Sequence, residues 1–253
     1  MNAVSFLYLL ALATTSQALP NPTPAPTPAS GFATHGLAID GAMTTRSIAA
    51  GIKYANPPEC MTIVVVNSHG DTITTALDTN PSAPTPVSGN TVPGTMTNGE
   101  TASIAVPTNW IGNLAINDAR WGLTGDDSLI EANFVVPYGE SVAVGDIDVS
   151  YVDGFSVAIV CHCGGLDDTV VSGCNKNLFN LNTCPDDDGQ NACVNPLRAD
   201  QFATAPTDFF KPCAGAAYTF PSDSGANSFG TCQTGTYTCC VGAACAANPN
   251  QPA

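Results

Sequence analysis

Ten of the eleven cysteines crowd into one stretch: Cys161, Cys163, Cys174, Cys184, Cys193, Cys213, Cys232, Cys239, Cys240 and Cys245, with Cys60 alone upstream. Met1 to Ala18 is short and apolar and ends in Thr15-Ser16-Gln17-Ala18, with small residues at the positions a signal peptidase reads. It is expected to be a cleaved secretory signal (1–18), about 12 apolar-rich residues being too few to span a bilayer. In a secreted chain the cysteines read as a disulfide framework that takes over from core burial in a loop-rich region. Zinc is the competing reading, since Cys161-X-Cys163 and Cys239-Cys240 look like ligand clusters, but the spacing does not give paired Cys-X2-Cys knuckles and the compartment favours oxidation. No metal and no cofactor is expected, and an odd count leaves one thiol over.

Upstream of this region the pattern is that of strands. Met61 to Val66, Asp71 to Leu77, Ala102 to Val106, Ile111 to Ile116 and Leu129 to Val136 are β-rich runs punctuated by Gly, Pro and Asn, which predicts an all-β antiparallel sandwich. No internal repeat suggests a propeller or solenoid. In Asp146 to Tyr151 apolar and polar residues alternate, so Asp146, Asp148 and Ser150 share one open face. Asp153-Gly154 is a tight-turn dipeptide, after which Phe155, Val157 and Ile159 resume the alternation, so the segment reads as a hairpin with carboxylates near its turn. Residues 19–59 form a Pro-rich linker and mobile N-terminal arm, and residues 246–253 a C-terminal tail.

The charge narrows the partners. A formal net charge of −15, from 21 acidic against 6 basic residues, makes nucleic acid and anionic membranes poor partners. No stretch after the leader is expected to span a membrane. Asp186-Asp187-Asp188 reads as a solvated loop. With only His35, His69 and His162 present, a Ser-His-Asp site is not expected.

Several ordered motifs resemble one family. Asp148-Val149-Ser150-Tyr151-Val152-Asp153-Gly154-Phe155 is similar to the Asp-Val-Ser-Leu-Val-Asp-Gly-Phe run of thaumatin-like proteins. Gly99-Glu100 before Ser103 resembles their Gly-Glu-Ser strand start, and Leu129-Ile130-Glu131-Ala132-Asn133-Phe134 their Leu-Ala-Glu-Phe strand. Phe209-Phe210-Lys211-Pro212-Cys213 and Ala217-Tyr218-Thr219-Phe220-Pro221-Ser222-Asp223 resemble the segment that follows. The likeness runs from about Met61 to Cys240, and the wording resembles the antigenic thaumatin-like proteins of filamentous fungi. It implies a thaumatin-like domain over 60–245, with a disulfide-rich loop part at about 161–213 and a short helix near Ala199 to Lys211. It further implies Cys174 paired with Cys213, Cys184 with Cys193, one of Cys161 or Cys163 with Cys232, and Cys60 with Cys239 or Cys240. The chain departs from the plant pattern: a small disulfide loop between Asp126 and Glu131 is almost wholly deleted.

The resemblance also implies a site. The family's cleft is lined by an Arg, a Glu and three Asp, which fall on Glu131, Asp148 and Asp153 as catalytic candidates and Asp223 as substrate-binding. Trp121-Gly122-Leu123-Thr124-Gly125 puts Leu123 where the family has Arg, and Arg120 lies three residues away. Glycoside hydrolysis needs one carboxyl kept protonated and another ionised. Glu131 is the better acid, with Asp148 or Asp153 as nucleophile or base. The expectation is a secreted, extracellular or cell-wall protein whose cleft binds β-1,3-glucan, with weak endo-β-1,3-glucanase activity as its catalytic extension. The alternative is a non-catalytic, antigenic wall-matrix or host-contacting surface protein, with host surface proteins as its partners.

Overall fold

The structure, a computed structural model, describes residues 58–89 and 94–253. The expected signal peptide and nearly all of the arm lie outside those residues. In chain order the strands are β1 (Cys60–Asn67), β2 (Ile73–Thr79), β3 (Ser88–Gly89), β4 (Gly94–Met96), β5 (Thr101–Pro107), β6 (Trp110–Asp118) and β7 (Ser128–Val135). They continue with β8 (Val144–Ser150), β9 (Gly154–Phe155), β10 (Ile159–Cys163), β11 (Val170–Cys174), β12 (Cys193–Val194) and β13 (Thr236–Val241). One sheet has the order β11-β10-β13-β1-β5-β3, a second β4-β2-β6-β7-β8, and β9 and β12 form a small ladder.

Period-two patterning explains the layers. In β1, Met61, Ile63 and Val65 are buried while Thr62, Val64 and Val66 are only partly so, the signature of a strand with one core face. The second sheet contributes Ile116, Ile130, Phe134, Ile147 and Val149 to the same cluster, each fully buried side chain contributing about 1.5–3 kcal/mol. The sheets meet closely at Gly145, where a Cβ atom would lie 2.8 Å from the Tyr237 hydroxyl and 3.2 Å from Met61 Sδ. Glycine here is a packing requirement. The first sheet is antiparallel except at its centre, where β1 pairs in parallel with β13, Val65 opposite Cys239.

The expected hairpin at Asp153-Gly154 does not form. β8 pairs with β7 in the second sheet, whereas β10 pairs with β11 and β13 in the first and β9 pairs with β12. The turn instead carries the chain between layers. The reason is competition for the free edge of β8: the Val149 carbonyl accepts from the Tyr218 N–H at 2.9 Å, Tyr151 N–H donates to the Tyr218 carbonyl at 2.8 Å, and Ile147 N–H donates to Ser228 Oγ at 3.1 Å. Phe155 then enters an aromatic cluster, 5.0 Å from Tyr151 and 6.1 Å from Phe209 by ring centroids.

Five disulfides staple the loop-rich part: Cys161–Cys239, Cys163–Cys232, Cys174–Cys213, Cys184–Cys193 and Cys240–Cys245. The expected bridge from Cys60 to Cys239 or Cys240 is absent, and Cys60 is the free thiol. The parallel register is the cause: Cys239 lies opposite Val65, so Cys60 is five residues, roughly 16 Å, further along its strand. The short helix expected near Ala199 to Lys211 is likewise replaced by turns, and the only helical geometry nearby is a 3₁₀ turn, Lys211–Cys213. The C-terminal tail is tied down, Asn248 Nδ2 donating to the Gly173 carbonyl at 2.8 Å and Asn175 Nδ2 to the Cys245 carbonyl at 2.8 Å.

Candidate functional site

The antiparallel registers of the second sheet align its polar residues into rows. Asp78 of β2 faces Asn113 of β6, Asn113 faces Glu131 of β7, and Glu131 faces Asp148 of β8. In the next row Asn133 faces Asp146, and in the one before it Leu129 faces Ser150. Strand alternation keeps all of these off the core face, where Ile130, Ala132, Ile147 and Val149 point. The face that the sequence marks as open is nonetheless covered: Glu131, Asp146 and Asp148 are 9, 4 and 5 % exposed. The segment that caps the β8 edge does part of the covering, with Ser228 N–H donating to Asp148 Oδ1 at 2.8 Å and Ser228 Oγ lying 3.2 Å from Asp146 Oδ1.

Burial sets the electrostatics of this row. Desolvation pushes Glu131 up to about 8, reinforced by the negative charges of Asp153 and Asp146 and opposed by a hydrogen bond from the Ser150 hydroxyl. Desolvation likewise raises Asp148 well above the usual carboxylate range, with Asp146 and then Glu131 adding repulsion. Asp146 is raised by burial too, against the stabilising donors Ser228 and Asn133. Tyr218, half-buried, accepts from Asn227 Nδ2 at 3.0 Å, and burial plus the nearby Asp148 raises its phenol. Two acceptors on this face lack a donor: the buried side-chain carbonyls of Asn113 and Asn133. Asn133 turns its amide nitrogen to Asp146 Oδ2 at 3.0 Å.

The expected site residues are only partly assembled. Glu131 and Asp148 are direct cross-strand partners, and Asp153 lies close enough to raise Glu131. Asp223 Oδ2 accepts from the Thr219 N–H and hydroxyl at 3.2 and 2.8 Å. No cation bonds the row: among the described residues Arg120 pairs with Asp118 and Asp71, Arg198 with Asp126, and His69 with Asp118. Arg120 holds Asp118 at about 2 through its side-chain hydrogen bonds. Leu123 sits half-buried in the bend after β6. Its neighbour Asp127 is raised by burial to about 6 although Thr124 and Gly125 N–H groups and Asn117 donate to it. Asp188 caps its own loop and accepts from Thr124 Oγ1 at 2.7 Å.

Asp146, Asn113, Asn133, Ser228 and Tyr218 complete the site. Of these only Asp146 carried a signal in the sequence, its alternation with Asp148. A groove of about 870 Å³ lies elsewhere, lined among others by Lys176, Leu181 and Lys211, and contains none of the acidic row.

No protein-family profile and no curated protein sequence matches the chain. Among solved structures, the protein elicitor MoHrip2 from Magnaporthe oryzae is similar at 13% identity over 42% of this chain and 71% of that chain, with a TM-score of 0.29. A laminaripentaose-producing β-1,3-glucanase in complex with laminaritetraose is similar at 17% identity over 56% of this chain and 54% of that chain, with a TM-score of 0.35. The chain thus spans about half the length of that glucanase, and neither likeness carries the reading that follows.

Proposed function

We propose that the protein is a secreted, wall-associated member of the thaumatin-like group whose acidic row engages β-1,3-glucan, with weak endo-hydrolysis as its catalytic extension. The observation that supports it most is the Glu131–Asp148 pair, directly opposed in register. Opposed Cβ atoms stand about 4.5–5.5 Å apart, compatible with the carboxyl separations of about 5–9.5 Å that glycosidase mechanisms use. Glu131, held protonated to about pH 8, is suited to protonate a leaving glycosidic oxygen, and the Asp146 and Asp148 side supplies negative charge opposite it.

A second reading is favoured by the burial of these carboxyls and by Leu123 in place of a cation: a non-catalytic wall-matrix or host-contacting protein in which the row is inherited scaffold. Incubation with insoluble β-1,3-glucan, followed by assay of depletion and of reducing sugar in the supernatant, separates them. Sugar release that Glu131→Gln abolishes without loss of retention supports hydrolysis. Retention without release supports a binding module, and neither overturns the glucan reading.

A further inference from the structure

The groove of about 870 Å³ that lies apart from the acidic row is walled by residues of 176–182, 208–212 and 243–253. Each wall is braced from behind. Cys174–Cys213 joins the first two, with Cα atoms 5.5 Å apart, so Lys176 and Lys211, each two residues from the bridge, are brought to one cavity. Asn182 Nδ2 donates to the Asp208 carbonyl at 3.1 Å and ties the same two walls a second time. The third wall is held by Cys240–Cys245, by Gln251 Nε2 donating to Asn175 Oδ1 at 2.9 Å, and by Lys176 Nζ donating to the Pro252 carbonyl. A groove fixed in this way exists before a ligand arrives, which lowers the ordering cost of binding.

Charge narrows what the groove takes. The lysines and arginines of the described residues are Arg120, Lys176, Arg198 and Lys211. Both arginines are neutralised, by Asp118 and Asp71 and by Asp126, whereas neither lysine enters an ion pair among the described residues. The two unneutralised cations therefore line the same groove, against one acidic side chain, Asp208. In a chain of net charge −15 this positive spot is local, so it suits a short anion, and a long polyanion meets repulsion from the surrounding surface. The rest of the lining is amphipathic: Leu181, 53% exposed, and Pro212 are apolar, and Asn180 and Asn182 carry amides. An apolar lining with a few polar groups and two ammonium groups matches a ligand that has an apolar ring face, hydroxyls and a carboxylate. We propose that this groove binds uronate residues of an acidic polysaccharide, with Lys176 and Lys211 on the carboxylate and Leu181 and Pro212 under the sugar ring. It is a second carbohydrate site, built from none of the acidic row, and stands whether or not that row engages glucan.

The test is calorimetric titration of the full-length protein with trigalacturonate, with its methyl ester and with inorganic phosphate. Trigalacturonate is expected to bind at least about tenfold more tightly than the ester, because a hydrogen bond between ammonium and carboxylate is stronger than a neutral one. Its affinity is expected to fall as NaCl is raised from about 20 to about 200 mM, since exposed charges are screened. Lys211→Gln is expected to weaken trigalacturonate at least about fivefold. Its side chain is exposed and in no ion pair, so thermal unfolding should stay in place. Lys176→Gln, which also releases the Pro252 carbonyl, serves as the second variant. Leu181→Ala is expected to weaken trigalacturonate while leaving phosphate unchanged. Absence of trigalacturonate binding, equal affinity for acid and ester, or unchanged affinity in Lys211→Gln overturns the proposal. Phosphate bound as tightly as trigalacturonate means a site for a bare anion and overturns the sugar.

Discussion

Glu131 has an aspartate across the ladder, another beyond the turn and a serine hydroxyl beside it, but no cation of the described residues bonded to it. Its proton is the counter-charge that this part of the fold supplies for itself. Replacing it by Gln keeps shape and removes the ionisation, so Glu131→Gln is expected to match the wild type in thermal stability near pH 5. At pH 8.5 it should exceed the wild type by at least about 5 °C. Differential scanning calorimetry across that range checks this, and a gap that does not grow with pH contradicts a buried protonated Glu131. Cys60 makes a second residue-scale case. It is partly buried and without a disulfide, so native alkylation followed by mass spectrometry is expected to label Cys60 and no other cysteine. Label on Cys239 or Cys240 would contradict the bridges Cys161–Cys239 and Cys240–Cys245.

At the scale of elements, Ser228 fastens the edge of β8, accepting from Ile147 N–H and lying within 2.6 Å of the Ile147 carbonyl. Ser228→Ala leaves a buried N–H without its acceptor and is expected to cost about 1–3 kcal/mol in urea unfolding. An unchanged midpoint would mean that the segment 218–228 does not hold the edge. Much of this was legible in the sequence: the strands, the shared face of Asp146, Asp148 and Ser150, and the crowding of disulfides all follow from period two and cysteine placement. The partner of β8 was not. Alternation states which face a residue takes but not which strand lies alongside, and Asp153-Gly154 reads equally as a hairpin turn and as a step between sheets. Nor was the cover over the acidic row legible, because Ser228 is 80 residues from Asp148 and its local sequence carries no mark of the role. The register misplacement of Cys60 has the same origin, since the parallel β1–β13 pairing is visible only in the fold.

For the whole molecule, opposing shifts set a window of stability. Glu131 is raised from 4.5 to about 8, and Asp127 from 3.8 to about 6. The folded state therefore binds these protons more tightly than the unfolded chain, and their contribution, complete below about pH 4, is lost as pH rises through the folded values. Asp118 is lowered from 3.8 to about 2, so its contribution is present above about pH 4 and lost as pH falls through 2. Stability is expected to peak near pH 4–5 and to decline toward pH 8, with general repulsion from a net charge of −15 adding to the decline. Denaturant midpoints measured from pH 3 to 9 check this, and a maximum at or above pH 7 contradicts it.

The parallel pairing at the centre of the first sheet has a consequence in time. β1 opens the domain, and its inner neighbour β13 is the last strand made, so for most of synthesis β1 can pair only with β5 on its other side. Cys161 and Cys163 are both made before Cys239 and Cys232, and the eight cysteines that precede β13 can meet wrong partners while the sheet waits for its final member. A chain built in this order completes its first sheet late, which makes oxidative folding a race between closing the sheet around β13 and locking a wrong bridge.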